Sequence, residues 1–223
     1  MSAYSVIIPA YNSEAFIADA IASVRAQTVG PSEIIVVDDG STDRTADIVA
    51  HMGADIRLIR QANKGSGEAT NSALRAVTTG MIAGLDSDDV WLPHKMETQL
   101  REFQSNPDIS GCFARTRQFR DGRPDDGSGW TADAWTRTTM VIRTDVALAA
   151  GPVCDPPGGV GELVDWLARI REAGSLLHLI PEVLALRRLR PGSLTHKRSE
   201  AAGRGYLFAA RRSVLRRRAS SSA

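Results

Sequence analysis

The sequence is poor in cysteine and histidine, which argues against two classes of site. Its only two cysteines, Cys112 and Cys154, lie far apart in the chain. Neither a disulfide framework nor a cysteine-based zinc site is therefore predicted. The four histidines show no spacing typical of metal ligands. We expect a protein of the reducing cytoplasm.

Long apolar segments are also missing, and no secretory leader is predicted. No apolar run approaches the ~20 residues of a membrane-spanning helix. The first residues, MSAYSVIIPAYN, lack a basic segment followed by a longer apolar block. Aromatic residues make up only 5% of the chain and are not interleaved with its basic C-terminal residues. This weakens any interpretation as a single-strand nucleic-acid binder, so no nucleic-acid partner is expected.

Charge is present but unevenly distributed. Residues 1–186 hold 16 Lys and Arg against 25 Asp and Glu, whereas residues 187–223 hold 11 against 1. The basic end, 197–223, is predicted to be a helix or tail that is solvated or partly disordered. The alternative is peripheral contact with an anionic membrane at its cytoplasmic face. Self-association is left open.

The first half of the sequence alternates two kinds of segment. Apolar runs such as YSVIIPA, EIIVV and MIAG predict buried strands, and the segments between them have the spacing of amphipathic helices. This alternation predicts an α/β fold with a mostly parallel, Rossmann-like sheet flanked by helices. In the second half, ELVDWLARIREAG predicts an amphipathic helix and LLHLIPEVLALRRLRPGS a pair of strands. No linker interrupts the chain, so one domain is predicted.

An acidic turn follows the fourth predicted strand. The stretch GLDSDDVW places Asp86, Asp88 and Asp89 within four positions. Carboxylates this close repel one another unless a cation joins them, and Mg²⁺ or Mn²⁺ prefers such oxygens. A solvated acidic turn is the alternative. Tyr11 and the Asp38–Asp39 pair also follow strand ends, and such ends meet at one edge of a parallel sheet. A single site is therefore predicted there.

The glycine pattern indicates how this site would hold a ligand. The segment Gly65-Ser66-Gly67 matches neither of the common glycine-rich phosphate-binding motifs. Mg²⁺ commonly takes one or two carboxylates and completes its shell with phosphate oxygens and water. A metal site without a phosphate-binding loop therefore favours a nucleoside diphosphate that binds through its counter-ion.

Four ordered blocks carry a resemblance to a known family. YSVIIPAYNSEAFIADAIASVRAQT, EIIVVDDGSTDRT, NKGSGEATNSAL and GLDSDDVWLPHKME resemble successive blocks of glycosyltransferase family 2, which has the GT-A fold. The resemblance is close over residues 4–105 and looser to about 196. It implies an inverting transferase that uses Mn²⁺ or Mg²⁺ and a nucleotide-sugar donor, most often a UDP-sugar. It also implies a nucleotide-binding half, 1–105, and an acceptor-binding half, 106–196, for an unknown acceptor.

The resemblance also implies roles for individual residues. Tyr11 would stack on the base, Asp39 would accept a hydrogen bond from the uracil imide, and Asp38 would support that turn. Asp86 and Asp88 would form the metal-binding pair, the first near the ribose. The alternatives are a core aromatic for Tyr11 and a helix cap for Asp38. The implied nucleotide contacts are Pro9, Ala10, Tyr11, Asp38, Asp39, Lys64, Asn71, Asp86 and Arg190.

Two positions depart from the family pattern. Thr70 precedes Asn71 where the family often has an arginine that meets the diphosphate, and Lys64 would supply that charge unless it is a simple surface lysine. Arg190 stands where the family commonly has histidine. A guanidinium does not bind a metal but clamps phosphate through two hydrogen bonds. Arginine is therefore expected to help hold the diphosphate.

The catalytic base is the third departure. Inversion needs a carboxylate that takes the proton of the acceptor hydroxyl, and the family position aligns with Leu163. Glu162 and Asp165 remain on the polar face of the predicted helix. Glu162 is favoured because Asp165 has the spacing to pair with Arg169. The third option is that the chain has no competent base.

Two other functions compete with a sugar transferase. A non-catalytic nucleotide-sugar-binding protein or partner subunit of the same fold would keep the donor site and lose the base. A sugar nucleotidyltransferase would usually carry a glycine-rich basic loop after the first strand, and PAYNSEAF lacks one. A basic nucleic-acid-binding module is less favoured, because the charge lies in a terminal segment.

Overall fold

The computed structural model describes residues 3–157, 161–190 and 200–220. The strands are β1 Tyr4–Ala10, β2 Glu33–Asp38, β3 Ile56–Arg60, β4 Met81–Gly84, β5 Val90–Trp91, β6 Ile109–Arg120, β7 Thr131–Ala134, β8 Val141–Arg143 and β9 Leu176–Leu189. The helices are α1 Ile17–Arg25, α2 Thr45–His51, α3 Ser66–Ala76, α4 Lys95–Ser105, α5 Thr144–Ala149, α6 Glu162–Glu172 and α7 Glu200–Ser220, with a 3-10 turn at Arg137–Thr139. Within these ranges, no helix is both long enough and apolar enough to cross a membrane.

The first half folds as its alternating pattern predicts. Strands β3, β2, β1 and β4 lie side by side in that order and all pair in parallel. Every residue of β1 is buried, because this strand lies inside the sheet and helices cover both of its faces. Such strands are apolar without interruption, which explains the run YSVIIPA.

Two hydrophobic clusters fill the space between the sheet and its helices. Successive residues of a strand point to opposite faces, so Val6 and Ile8 join one cluster and Ile7 joins the other. The first cluster includes residues of α1, α2 and α4. The second includes residues of α3, α5 and α6, with Trp166 fully buried in it.

The second half of the sheet mixes directions. From β4 the order continues β8, β6, β9, β5, with β8 antiparallel to both β4 and β6 and β9 parallel to β6. The predicted strand pair near the C-terminus is wrong, because Leu176–Leu189 forms one strand. Its register against β6 shifts between Leu179 and Val183, and this irregularity accommodates Pro181 without ending the strand.

The basic end of the chain includes a helix that packs against α6. Asp165 is buried and accepts hydrogen bonds from Arg169 Nε at 3.2 Å and Arg216 Nη1 at 2.7 Å. Arg216 Nε also bonds Glu172 at 2.7 Å. The expected pairing of Asp165 with Arg169 is thus confirmed, and α7 covers this carboxylate. Of the predicted tail, residues 197–199 and 221–223 lie outside the described residues.

One partly buried hydrogen bond of the buried Trp166 side chain gives a prediction about stability. Trp166 Nε1 donates to the carbonyl oxygen of Gly151 at 3.0 Å. Trp166→Phe keeps an aromatic ring but leaves that carbonyl without this donor, so we expect the free energy of unfolding to fall by about 1–3 kcal/mol. Urea titration followed by circular dichroism measures the change. Trp130→Phe is the control, because Trp130 is 66% exposed. Equal midpoints for the two variants would contradict the prediction.

Candidate functional site

The carboxyl ends of three neighbouring strands meet at one edge of the sheet. β1 lies between β2 and β4, so the turns that follow them are adjacent. Hydrogen bonds tie these turns together: Asn12 N donates to Ser41 Oγ at 2.9 Å, and Ser13 Oγ lies 2.7 Å from Ser87 Oγ. The structure therefore brings together the three turns that the sequence predicts to share a site.

Tyr11 is the exposed aromatic residue of this edge. Pro9 and Ala10 are buried at the end of β1, whereas 49% of Tyr11 is exposed. The next residue, Asn12, has a φ of 47°, a left-handed conformation that asparagine tolerates better than most residues. This turn directs the chain away from the strand. The alternative of a core aromatic at Tyr11 is wrong.

Asp39 organises the segment that leads into α3. Its carboxylate is only 3% exposed. Oδ1 accepts hydrogen bonds from Gln61 Nε2 at 2.7 Å and Lys64 N at 3.0 Å, and Oδ2 accepts one from Gly65 N at 2.9 Å. Oδ2 keeps a second lone pair, so a bond from a base is compatible with this arrangement and stays a prediction. The side chain of Lys64 itself is exposed.

Asp38 supports the neighbouring turn. It is buried, its Oδ1 accepts a 3.4 Å hydrogen bond from Ser41 N, and Arg60 Nε lies 4.0 Å from Oδ2. These contacts stiffen the loop after β2, and that loop is bonded to the turn of Tyr11 through Ser41. Asp38 is therefore a buried residue that holds the loop after β2 in the shape that this loop has at the site.

Asp89 is the buried member of the acidic turn. It accepts hydrogen bonds from Thr138 Oγ1 at 2.7 Å and from Arg188 N at 3.0 Å. The pKa of Asp89 is raised to about 8, mainly by burial and to a lesser extent by repulsion from Asp86 and Asp88. Asp89 thus anchors the turn to the second half of the chain, and the other two carboxylates face the site.

Each of these two carboxylates pairs with an arginine. Arg190 Nε donates to Asp88 Oδ2 at 2.9 Å, and its guanidinium lies 4.9 Å from the centre of the Phe16 ring. Arg137 Nη1 donates to Asp86 Oδ1. The repulsion within the acidic turn is therefore offset by two guanidinium groups, one of which sequence reasoning found.

Arg137 is the residue that sequence reasoning missed. It is 4% exposed and precedes β8, and its Nη2 lies 3.0 Å from Glu162 Oε1 and 3.0 Å from Thr70 Oγ1. One guanidinium thus connects the acidic turn with the start of α6. In the sequence, TRTTMVIR does not distinguish this arginine from a surface arginine. The only signal was indirect, namely the missing arginine at Thr70.

Asp155 is a second residue that the sequence did not single out. It precedes α6 in the chain, and both of its carboxylate oxygens accept hydrogen bonds from Gly67 N at the start of α3, at 2.9 and 3.0 Å. Burial raises the pKa of Asp155, and the nearby charge of Glu162 raises it further. Asp155 therefore fixes α3 next to the Arg137–Glu162 pair.

The structure separates the two candidate bases. Glu162 begins α6, its side chain is 17% exposed, and it joins the cluster of Arg137 and Asp86. Asp165 instead lies at the contact between α6 and α7, bound by Arg169 and Arg216. Leu163 is buried, as its place in the apolar stripe predicts.

The side chain of Asn71 is buried and hydrogen-bonded to the backbone of Val153, so it is not exposed at the site. Its Nδ2 donates to the carbonyl of Val153 at 2.9 Å, and its Oδ1 accepts from Val153 N at 2.8 Å. These two bonds pin the segment before Asp155 to α3. A nucleotide contact through Asn71 stays a prediction from the family resemblance.

The carboxylates at this edge could hold a metal ion only if a bound ligand supplied further oxygen atoms to it. Among residues 3–157, 161–190 and 200–220, no group of three or more His, Cys, Asp or Glu side chains is placed to hold a metal ion. Asp88 uses Oδ2 for Arg190 and has a second carboxylate oxygen. Mg²⁺ needs only one or two protein carboxylates when phosphate oxygens and water complete its shell. The residues therefore fit a cation that is shared with a diphosphate.

Two solved structures have a similar fold. A crystal structure of S. aureus TarS (1–349) in complex with UDP-GlcNAc has a TM-score of 0.71 and 20% identity, covering 88% of this chain and 61% of that one. A mannosyltransferase from Pyrobaculum calidifontis in complex with GDP-Man and Mn²⁺ also has a TM-score of 0.71, with 19% identity, covering 94% of this chain and 64% of that one. The predicted α/β architecture is therefore confirmed as the GT-A fold.

Sequence comparisons agree with the fold. The chain is 43% identical over 113 residues to an uncharacterised glycosyltransferase of Nostoc sp., and this alignment covers 49% of the chain but only 35% of that relative. The model of the family described as Glycosyl transferase family 2 matches residues 5–154. This match spans well over half of the chain and includes the acidic turn, Arg137 and the turns of Tyr11 and Asp39, so the chain belongs to glycosyltransferase family 2.

Proposed function

We propose that the chain transfers a sugar from a UDP-sugar to the hydroxyl of an acceptor with inversion at the sugar carbon. The observation that carries the proposal is the meeting of Tyr11, Asp39, Asp86 and Asp88 at one sheet edge in a family 2 chain. Residues 1–105 would bind the donor and residues 106–196 the acceptor. The uridine nucleotide is proposed from the family resemblance, since the two similar structures hold UDP-GlcNAc in one case and GDP-Man in the other.

The donor nucleotide would bind across the turns of β1 and β2. The exposed ring of Tyr11 would stack on the base, with Pro9 and Ala10 behind it. Asp39 would accept a hydrogen bond from the imide N–H of uracil, which cytosine lacks. Because Asp39 also binds the backbone of Lys64 and Gly65, base recognition would be linked to the position of α3.

The diphosphate would lie near Asp88. Asp88, with Asp86 beside it, would hold Mn²⁺ or Mg²⁺, which neutralises charge on the departing diphosphate when bound. Arg190, now paired with Asp88, would clamp a phosphate through two hydrogen bonds, and the exposed Lys64 would be a second cation. This arrangement favours a ligand that brings its own negative charge.

Glu162 is the proposed base. It would take the proton of the acceptor hydroxyl as that oxygen attacks the sugar carbon, and the bond from this carbon to the diphosphate oxygen would break on the opposite side. The side chain is partly open to solvent and lies in the same cluster as Asp86. Asp165 is less suited, because it is buried and bound by two arginines.

The pairing of Glu162 with Arg137 also favours a second candidate function. The guanidinium of Arg137 lies 3.0 Å from Glu162 Oε1, so this oxygen is engaged in an ion pair and is not open to an acceptor. With Leu163 at the family position, a chain without a competent base would bind the donor and act as a partner subunit. Turnover by the wild-type protein distinguishes the two functions.

The basic helix α7 is a candidate membrane contact. Leu207, Val214 and Leu215 are 71, 49 and 55% exposed, and Arg211 and Arg218 are exposed on the same face of the helix. Basic side chains at the surface of a protein are attracted to anionic lipid headgroups, and exposed apolar side chains beside them can enter the interface. We propose that this face binds the cytoplasmic surface of a membrane peripherally.

The first prediction concerns the metal and the donor. Asp88→Asn removes the charge that would hold the cation, so we expect UDP affinity in Mn²⁺ to fall by at least about 10-fold, or roughly 1.4 kcal/mol. Isothermal titration calorimetry with and without chelator measures this. Asp47→Asn, on the exposed face of α2, is the matched control. Tight UDP binding by wild type in chelator would contradict the metal role.

The second prediction concerns the base. Glu162→Gln keeps the shape of the side chain and removes its basicity, so turnover should fall by roughly 10²–10⁴-fold while UDP binding persists. UDP release from UDP-glucose, with water or an acceptor panel, is the assay. Glu182→Gln is the control because Glu182 is exposed on β9. Unchanged turnover would transfer the role to Asp165, and an inactive wild type that binds UDP would favour the partner subunit.

The third prediction concerns the membrane. Arg211→Glu combined with Leu207→Ser should abolish binding to phosphatidylglycerol vesicles at low salt, since each basic residue contributes about 1 kcal/mol. Truncation is unsuitable, because Arg216 holds Asp165. Leu148→Ser, on the exposed face of α5, is the control. Equal sedimentation of wild type with phosphatidylglycerol and phosphatidylcholine vesicles would exclude the electrostatic contact.

A further inference from the structure

Arg137 connects three separate parts of the chain through one guanidinium. Nη1 donates to Asp86 in the turn after β4. Nη2 lies 3.1 Å from Ser66 Oγ and 3.0 Å from Thr70 Oγ1 on α3, and 3.0 Å from Glu162 Oε1 on α6. The two acids that it joins belong to opposite ends of the proposed reaction, one to the donor and one to the acceptor.

Stability alone is a weak reason for this arrangement. A buried ion pair costs desolvation that its attraction repays only with complete hydrogen bonding, and apolar side chains of similar size are often as stable. The bonding of Arg137 is incomplete, because its Nε is buried without a hydrogen-bond partner among the described residues. A structural role would be served as well by a better-satisfied or apolar residue.

The contacts define which oxygen of Glu162 is held. Arg137 Nη2 and Ser66 Oγ both bond Oε1, at 3.0 and 3.4 Å. The carboxylate is planar, so holding Oε1 restricts the positions that Oε2 can take. Oε2 is then the oxygen that remains to receive a proton from the acceptor.

We propose that Arg137 is a positioning residue that fixes Glu162 relative to Asp86, so that the base and the donor-binding acid keep one geometry. The proposal rests on the proposed transferase function with Glu162 as base. Arg137 acts through Glu162 and does not itself contact the reacting atoms. Misplacement of a reacting group by about 1 Å costs on the order of 10²-fold in rate, which sets the expected size of the effect.

Lysine would serve this role poorly, for a geometric reason. The planar guanidinium presents its two terminal nitrogens in a fixed fork, and these reach Asp86 on one side and Glu162 with α3 on the other. A lysine ammonium is a single point of charge on a flexible stem. A lysine at position 137 would keep the positive charge but could not contact Asp86 and Glu162 at the same time.

The test is a double-mutant cycle between Arg137→Met and Glu162→Gln. UDP release from UDP-glucose gives kcat and KM, calorimetry gives UDP affinity, and urea titration gives the folded fraction. We expect Arg137→Met to lower kcat by about 10²-fold per folded molecule. In the Glu162→Gln background the same substitution should lower kcat by less than about threefold, because an interaction through Glu162 is already absent. Arg143→Met, which removes a partly buried arginine that donates to the backbone carbonyls of residues 107 and 109 and lies over the Phe103 ring, should leave kcat unchanged.

A second variant covers the case in which Arg137→Met does not fold. Arg137→Lys keeps the charge, and it should reduce kcat by about 10-fold or more in the wild-type background and not in the Glu162→Gln background. Equal losses of kcat in the two backgrounds would overturn the positioning role while leaving the transferase function intact. Loss confined to the folded fraction, with kcat unchanged, would show that Arg137 is structural only. A wild type that binds UDP and releases it from no member of a panel of UDP-sugars would overturn both proposals.

Discussion

Like-charge repulsion is the constraint on which this site depends. Three carboxyl groups within four residues after β4 can stay together only if positive charge, hydrogen-bond donors or protonation of one of them relieves the repulsion, and the raised pKa of Asp89, about 8, favours its protonated form. Asp86 has the guanidinium of Arg137, Asp88 has that of Arg190, and Asp89 has a hydroxyl and a backbone N–H. The turn is thus formed and stiff before any ligand arrives, and a bound cation would add to an arrangement that already exists.

The same constraint explains how the two halves of the chain are joined. Arg137 precedes β8, and Arg188 and Arg190 lie at the end of β9, so the cations come from the second half and the acids from the first. The strand order β4, β8, β6, β9 brings these segments back to the edge where β1, β2 and β4 end. The mixed half of the sheet therefore completes a site that the parallel half begins.

The acids of α6 are divided between two tasks by their position on the helix. Glu162, at the start of the helix, points to the site and is held by Arg137. Asp165, one turn later, holds α7 through Arg216 and also binds Arg169. The basic charge near the C-terminus is thus partly used within the fold, and α7 also carries the exposed residues Arg211 and Arg218 together with exposed apolar residues.

The sequence by itself determined the parallel half of the fold and the sheet edge at which the candidate site lies. Continuous apolar runs identify buried strands, helical spacing identifies the segments between them, and the ends of such strands must share an edge. These are local signals, so Tyr11, Asp39, Asp86 and Asp88 were found without a structure. The preference for Glu162 over Asp165 was reached in the same way, from the spacing of Asp165 to Arg169.

Only the tertiary structure decided which charges meet. Arg137 lies 51 positions from Asp86 and 25 from Glu162, and no periodicity connects them. Strand β9 continues through Pro181 because a register shift against β6 accommodates the residue, which depends on a partner strand distant in sequence. Pairing between remote segments is set by the packing of the whole sheet, so a local sequence pattern does not predict it.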